Sequence, residues 1–204
     1  MTREPTVITG PVKEPILASE AKLQTKADYS TEDTLYTIWI EAARDYIESH
    51  AGITIHEKTL EITLDGWPYD DYIVLPRATP LIAITSVIYY DTAGAATTWT
   101  ASEYIADTDS RPGRIVLAYG ESWPSTTLLP VNGIRIRYRA GIATTSPETE
   151  APAKVKHPMM MLVNAYDRNR ASEIAADRSA AAFIFPRYGA DAFIERLRVE
   201  SVNY

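Results

Sequence analysis

The residues of this chain whose types could support chemistry are its three histidines, two short acidic pairs and one row of arginines. His50, His56 and His157 fall at the end of a helical pattern, at the entry to a strand and beside a proline, with no ligand-type spacing between them. Asp70-Asp71 and Asp107-x-Asp109 bring carboxylates close together, but neither run continues into a calcium loop with further oxygen ligands and a closing glutamate. They read as turn formers. Cysteine is absent, so disulfides, thiolate metal sites and thiol nucleophiles are excluded together. With nine glycines in 204 residues and no GxGxxG, GxxxxGK[ST] or GxSxG run, there is little material for a phosphate-cradling loop. No cofactor and no metal is expected, and the chain does not read as an enzyme.

The arginines have a second meaning. Arg135, Arg137 and Arg139 alternate with Ile134, Ile136 and Tyr138, which places three guanidinium groups on one face of a strand. Such a row suits either a phosphate backbone or carboxylates on neighbouring strands, and Glu61 and Asp65 alternate in the register that would supply the latter. The formal net charge of −7 argues against affinity for polyanions. The expectation is therefore an ion pair from Arg135 or Arg137 to a strand carboxylate. DNA remains admissible as a passive neighbour, sliding past an acidic wall.

The elements that hold these groups indicate an α+β protein, in which N-terminal and C-terminal helices pack with or flank a central antiparallel β domain. Residues 1–16 carry Pro5, Pro11 and Pro15 with Val7, Ile8 and Val12, which suits an extended arm laid on its own domain or on a neighbour. Residues 17–52 are helical: a short helix over 19–26, then a long one. Ser30 and Asp33 resemble a capping box, Leu35, Ile38, Trp39, Ala42, Tyr46 and Ile47 form the apolar stripe, and Gly52 is the stop. Its other face, with Glu32, Asp33, Glu41, Arg44, Asp45 and Glu48, reads as solvated and acidic.

From 53 to 142 the period changes to two. Leu60, Ile62 and Leu64 alternate with polar residues up to the turn Asp65-Gly66-Trp67-Pro68. The run 81–90 carries apolar residues on both parities, which predicts a central strand covered on both faces. A hairpin turn at 91–94 leads into a strand over 99–106, a polar turn at 107–113, a strand at 114–117 and a last strand at 134–138. Residues 143–151 form a linker by composition. In 152–204, Pro158 should kink a helix that begins near Pro152 or shift its start, and Met159, Met160 and Met161 read as core. A final amphipathic helix over 189–199 carries Phe193, Ile194 and Leu197. At 204 residues and 46% hydrophobic content the chain can bury a core without staples, and no apolar run reaches the roughly 18 residues of a membrane span.

Several runs, in one collinear order, are similar to a known family. They are Glu14-Pro15 before Leu17-Ala18-Ser19-Glu20-Ala21-Lys22; the helix from Ile40 to Glu48 running into Gly52; Leu64-Asp65-Gly66-Trp67-Pro68; and Leu75-Pro76-Arg77. Thr85 to Asp91, Pro112 to Leu117, Ser122-Trp123-Pro124, Ile134 to Tyr138 with Ala140-Gly141, and Pro152 with Tyr166 to Arg170 complete the set. Together they resemble the head–tail connector (adaptor) proteins of long-tailed bacteriophages and related gene transfer agents. The departures are Pro158, the triple methionine and the long segment 171–187.

This resemblance implies a protomer of a ring of twelve copies in the virion neck, made in the host bacterial cytoplasm. The ring would sit beneath the portal protein, with a tail-side stopper or tail terminator protein docked on its far face and viral DNA passing through its lumen. On that basis Val7, Ile8 and Val12 of the arm and Phe193, Leu197, Val202 and Tyr204 of the C-terminal segment are the candidate subunit or portal contacts. Glu41, Asp45 and Glu48 are the candidate lumen wall. The alternative is a monomeric β-sandwich binding module for a carbohydrate or protein ligand, using Trp67, Trp99 or Trp123 as exposed stacking platforms.

Overall fold

The computed structural model describes residues 4–25, 32–145, 148–168 and 190–198. They form two connected halves, a helical cluster and a pair of antiparallel sheets, each with its own buried apolar centre.

The first sheet has five strands in the order β1, β2, β8, β4, β5, formed by Thr6–Thr9, Lys58–Leu64, Ile134–Ala140, Leu81–Tyr90 and Ala96–Thr98 respectively. The second has three, with β3 (Tyr72–Val74), β7 (Arg114–Leu117) and β6 (Tyr104–Asp107) side by side. Alternation in β2 behaves as its sequence suggests: Leu60 and Ile62 are buried, while Thr59, Glu61 and Thr63 are half-exposed.

Two corrections concern the strands. The middle of the large sheet is β8, between β2 and β4, rather than the run 81–90. Leu81, Ile84, Val87 and Tyr89 of β4 oppose Ala140, Tyr138, Ile136 and Ile134, all of which are fully buried. Two register shifts lie between these pairs, and each bulge adds one residue to β4. The apolar set therefore changes parity along the strand because the strand is bulged, without both of its faces being covered equally. The expected strand over 99–106 is likewise divided. Trp99 lies just past β5, a 3₁₀ turn follows at Ala101–Glu103, and β6 belongs to the second sheet.

The two sheets meet where Gly113 lies against Leu81. A Cβ on Gly113 would sit 2.3 Å from the Leu81 Cβ, so only glycine fits, and its N–H donates to the Ala78 carbonyl at 2.7 Å.

Four helices make the other half: α1 (Ala18–Thr25), α2 (Asp33–Ala51), α3 (Ala153–Arg168) and α4 (Ala190–Leu197). α2 begins at Asp33 after Glu32, which makes no side-chain cap bond; Asp33 is thus the first helical residue rather than the third, and Ser30 lies outside the described residues. Its stop is Gly52, left-handed at φ 66°, donating its N–H to the Glu48 carbonyl at 3.0 Å.

The buried stripe of α2 is Tyr36, Ile40, Ala43, Ile47 and Ala51, rotated from the predicted one; Ile38 is 54% exposed and Ala42 faces solvent. α3 runs through Pro158 without a shifted start. Pro158 and Met159 are buried, and Met160 and Met161 pack partly buried on the same cluster. Segment 171–187 lies outside the described residues.

Candidate assembly surface

The polar groups singled out in the sequence are mostly spent on one another. Arg137 Nε donates to Glu61 Oε2 at 2.8 Å, directly across the β2–β8 pair, which bears out the predicted ion pair. Arg139 donates to Glu57 at 2.7 Å, and the Arg135 guanidinium lies 5.3 Å from the centre of the Tyr90 ring. Burial tends to raise the Glu57 carboxyl, but the Thr145 N–H and Arg139 outweigh it and hold it below the usual carboxylate range. Asp65, the other proposed partner, instead accepts the Asn132 N–H at 2.8 Å. Two arginines of the row are therefore paired with carboxylates of the same sheet face, and the third lies over an aromatic ring.

The acidic helix divides in two. Glu41 and Asp45 are exposed, but Glu48 is 0% exposed and does not belong to a solvated face. Its carboxylate accepts the Lys58 ammonium and the Ile55 N–H at 2.9 Å. Arg44, also buried, joins Glu14 at 2.8 Å and reaches Asp45 at 2.9 Å and Glu48 at 3.9 Å. Burial holds the Glu14 carboxyl above its ordinary value, with Arg44 pulling the other way. Glu14, Arg44, Glu48 and Lys58 are thus a chain of alternating charges that ties the root of the arm to α2 and α2 to the large sheet. Inward-facing charge of this kind leaves no periodic signal, because the sequence pattern of a paired and a solvated carboxylate is identical.

The arm itself lies on its own sheet. β1 pairs with β2, Glu4 pairs with Arg77, and Lys13 pairs with Glu148. Yet Val7, Ile8 and Val12 remain 45%, 42% and 75% exposed, so the arm carries apolar surface that its own domain does not cover. At the other end of the chain, Phe193 meets the His157 ring edge-on at 5.1 Å, Ile194 is buried and Leu197 packs partly buried on the helical cluster. Val202 and Tyr204 lie outside the described residues.

The three tryptophans do not form a binding platform. Trp67 and Trp123 stack at 5.1 Å with an interplanar angle of 11°, and Trp99, only 3% exposed, lies 5.4 and 5.3 Å from them. Tyr89 and Tyr104 extend the cluster, and Trp123 Nε1 donates to the Asp70 carbonyl at 3.0 Å. These rings join the two sheets, which corrects their reading as exposed platforms.

The histidines are dispersed as well. His50 Nδ1 lies 2.8 Å from the Tyr46 carbonyl, and His56 is buried with neither ring nitrogen in a hydrogen bond. Among the described residues no three histidine, aspartate or glutamate side chains are grouped to hold a metal ion.

The folded chain aligns from end to end with solved chains of particle necks. One, from the neck of an empty GTA particle computed with C6 symmetry, matches at a TM-score of 0.75 and 21% identity, covering 99% of each chain. The shared fold is that of gene transfer agent particle chains. A second match, in the virion of a native gene transfer agent (GTA) particle, has a TM-score of 0.75 and 22% identity over 99% of both chains. A third, in the neck of a native GTA particle computed with C12 symmetry, reaches 0.69 at 21% identity, again over 99% of both. At the level of sequence, no family model and no curated protein matches the chain.

Proposed function

We propose that this chain is a structural head–tail connector: an adaptor that forms a ring under the portal of a virus-like particle, joins capsid to tail and lets DNA pass. The observation that carries this reading is the correspondence in fold with a particle-neck chain over 99% of both lengths. The reading is supported by charged groups that pair with one another across the sheet and helices, and by an arm on which Val7, Ile8 and Val12 stay exposed.

A closed ring needs two different patches on every copy, because heterologous contacts repeat around an axis. The arm, with Val7, Ile8 and Val12, is one. The C-terminal segment, with Phe193, Leu197, Val202 and Tyr204, is the reading for the other and for attachment to the portal. The copy number proposed is twelve, in line with the C12 symmetry of one matching neck. Glu41 and Asp45, without Glu48, are the proposed lumen wall, where like charge keeps DNA from adhering. The ring works by shape and self-association rather than by turnover.

The test is attachment. A chain lacking residues 199–204 should keep its fold by circular dichroism and lose binding to purified portal rings in co-sedimentation. Unchanged binding would discard the C-terminal assignment.

A further inference from the structure

The five-stranded sheet ends on both sides in a short strand that carries neither charge nor proline. β1 is Thr6-Val7-Ile8-Thr9 and β5 is Ala96-Thr97-Thr98; neither contains a charged residue or a proline, and every residue of both is exposed. Edge strands are normally guarded by charge, proline or cover, since an open row of N–H and C=O groups invites another strand.

The ladder shows which groups are open on β5. Trp99 N–H donates to the Val87 carbonyl at 2.8 Å and Asp91 N–H to the Ala95 carbonyl at 3.1 Å, so odd-numbered residues face β4. By the alternation of an antiparallel ladder, Ala96 and Thr98 then direct their backbone groups away from the sheet. On β1 a register shift sets Val7 and Ile8 together against Leu60. Two consecutive exposed apolar residues therefore sit on the outer edge.

The two edges also match in sense. All neighbours in the sheet are antiparallel, and with five strands the first and last run the same way. A copy rotated about an axis roughly along the strands presents its β1 parallel to the β5 of the copy before it. We propose that β5 of one copy pairs in parallel with β1 of the next, so that the large sheets continue from subunit to subunit around the ring.

The occupant is a second copy of this chain for three reasons. The edges are complementary in position, being opposite ends of one sheet. The arm is anchored by Glu14–Arg44 and Glu4–Arg77, so it is presented rather than loose. Chains of the same fold are found in necks with C6 and C12 symmetry, where copies repeat head to tail. Strands of four and three residues limit the pairing to a few bonds, which suits a joint completed by side chains such as Val7 and Ile8 rather than a fibre. The inference rests on the ring reading above and names the joint.

Absence of cysteine makes the test direct. Within one chain β1 and β5 are four strand spacings apart, about 19 Å, whereas a disulfide needs Cα atoms within about 7 Å. A bond between them must join two copies. The full-length pairs Val7→Cys with Thr97→Cys, Val7→Cys with Thr98→Cys, Ile8→Cys with Thr97→Cys, and Ile8→Cys with Thr98→Cys would be oxidised at a concentration where light scattering reports multimers. They would then be run on a denaturing, non-reducing gel.

The expected result is a ladder extending beyond the dimer for at least one pair, abolished by reductant, with each single variant remaining at monomer mass. Covalent dimers from Val7→Cys alone would overturn the proposal in favour of two-fold pairing of β1 with itself. Multimers by light scattering with no ladder from any pair would overturn the joint and leave the ring standing. A monomeric mass at every concentration, alone and with portal rings, would remove the ring and the joint together.

Discussion

Glu48 decides how charge is used in this molecule, because it sits on the acidic helix and is wholly buried. Glu48→Gln should destabilise the fold by about 3–5 kcal/mol, since Lys58 is left buried without its counter-charge. Glu41→Gln, on the exposed face, should stay within about 0.5 kcal/mol. Urea denaturation of the two variants checks the pair, and equal costs would contradict the division of that helix.

His56 gives a second test at the same scale. Burial of its imidazole, with Lys13 nearby, lowers its pKa from 6.5, against the opposing pull of Glu57 and Glu148. Because the folded state resists the proton that the unfolded chain accepts, the stability His56 contributes is complete above about pH 6.5 and declines as pH falls below it. The pocket around it also holds Glu14, Glu20, Glu150 and Lys156, so the comparison must be made between variants. His56→Gln should flatten the fall in stability between pH 7 and pH 5; parallel curves for the two proteins would contradict it.

Among the elements, α2 shows where sequence reading reaches and where it stops. Its existence and its Gly52 stop follow from apolar periodicity and the left-handed preference of glycine, whereas its start lies at Asp33, later than the Ser30 cap implies. The buried face is displaced because aromatic Trp39 and Tyr46 lie on the flank of the stripe, partly covered, while small Ala43 and Ala51 lie at its centre where neighbouring helices approach. Ile40→Ala should cost about 2–5 kcal/mol and Ile38→Ala well under that, by thermal or urea melts. Reversal of that order would restore the predicted face.

Strand β4 was legible as a strand but not as a bulged one. A parity change produced by two extra residues has the same sequence pattern as a strand buried on both faces. The tryptophans posed a similar problem: residues flanking turns are equally suited to solvent or to a joint, and only the closeness of the two sheets brings Trp67, Trp99 and Trp123 into contact. Gly113→Ala tests the other joint between the sheets. The added methyl group meets the Leu81 Cβ, an atom with no freedom to move aside, and should cost about 1–3 kcal/mol in a urea melt.

For the whole molecule, the α+β architecture, the extended arm and the pairing of Arg137 with a strand carboxylate were all accessible from the residues, since each rests on local periodicity or charge balance. The arrangement of two sheets and the sharing of one edge between copies were not, because they depend on contacts between residues far apart in sequence or in different chains. The central claim is that this chain acts as one member of a closed annulus. Mass measurement of the full chain, alone and with purified portal rings, tests it most directly. A discrete species of twelve copies, free or seated on the portal, is the predicted result, and a chain that remains a monomer under both conditions would contradict the account.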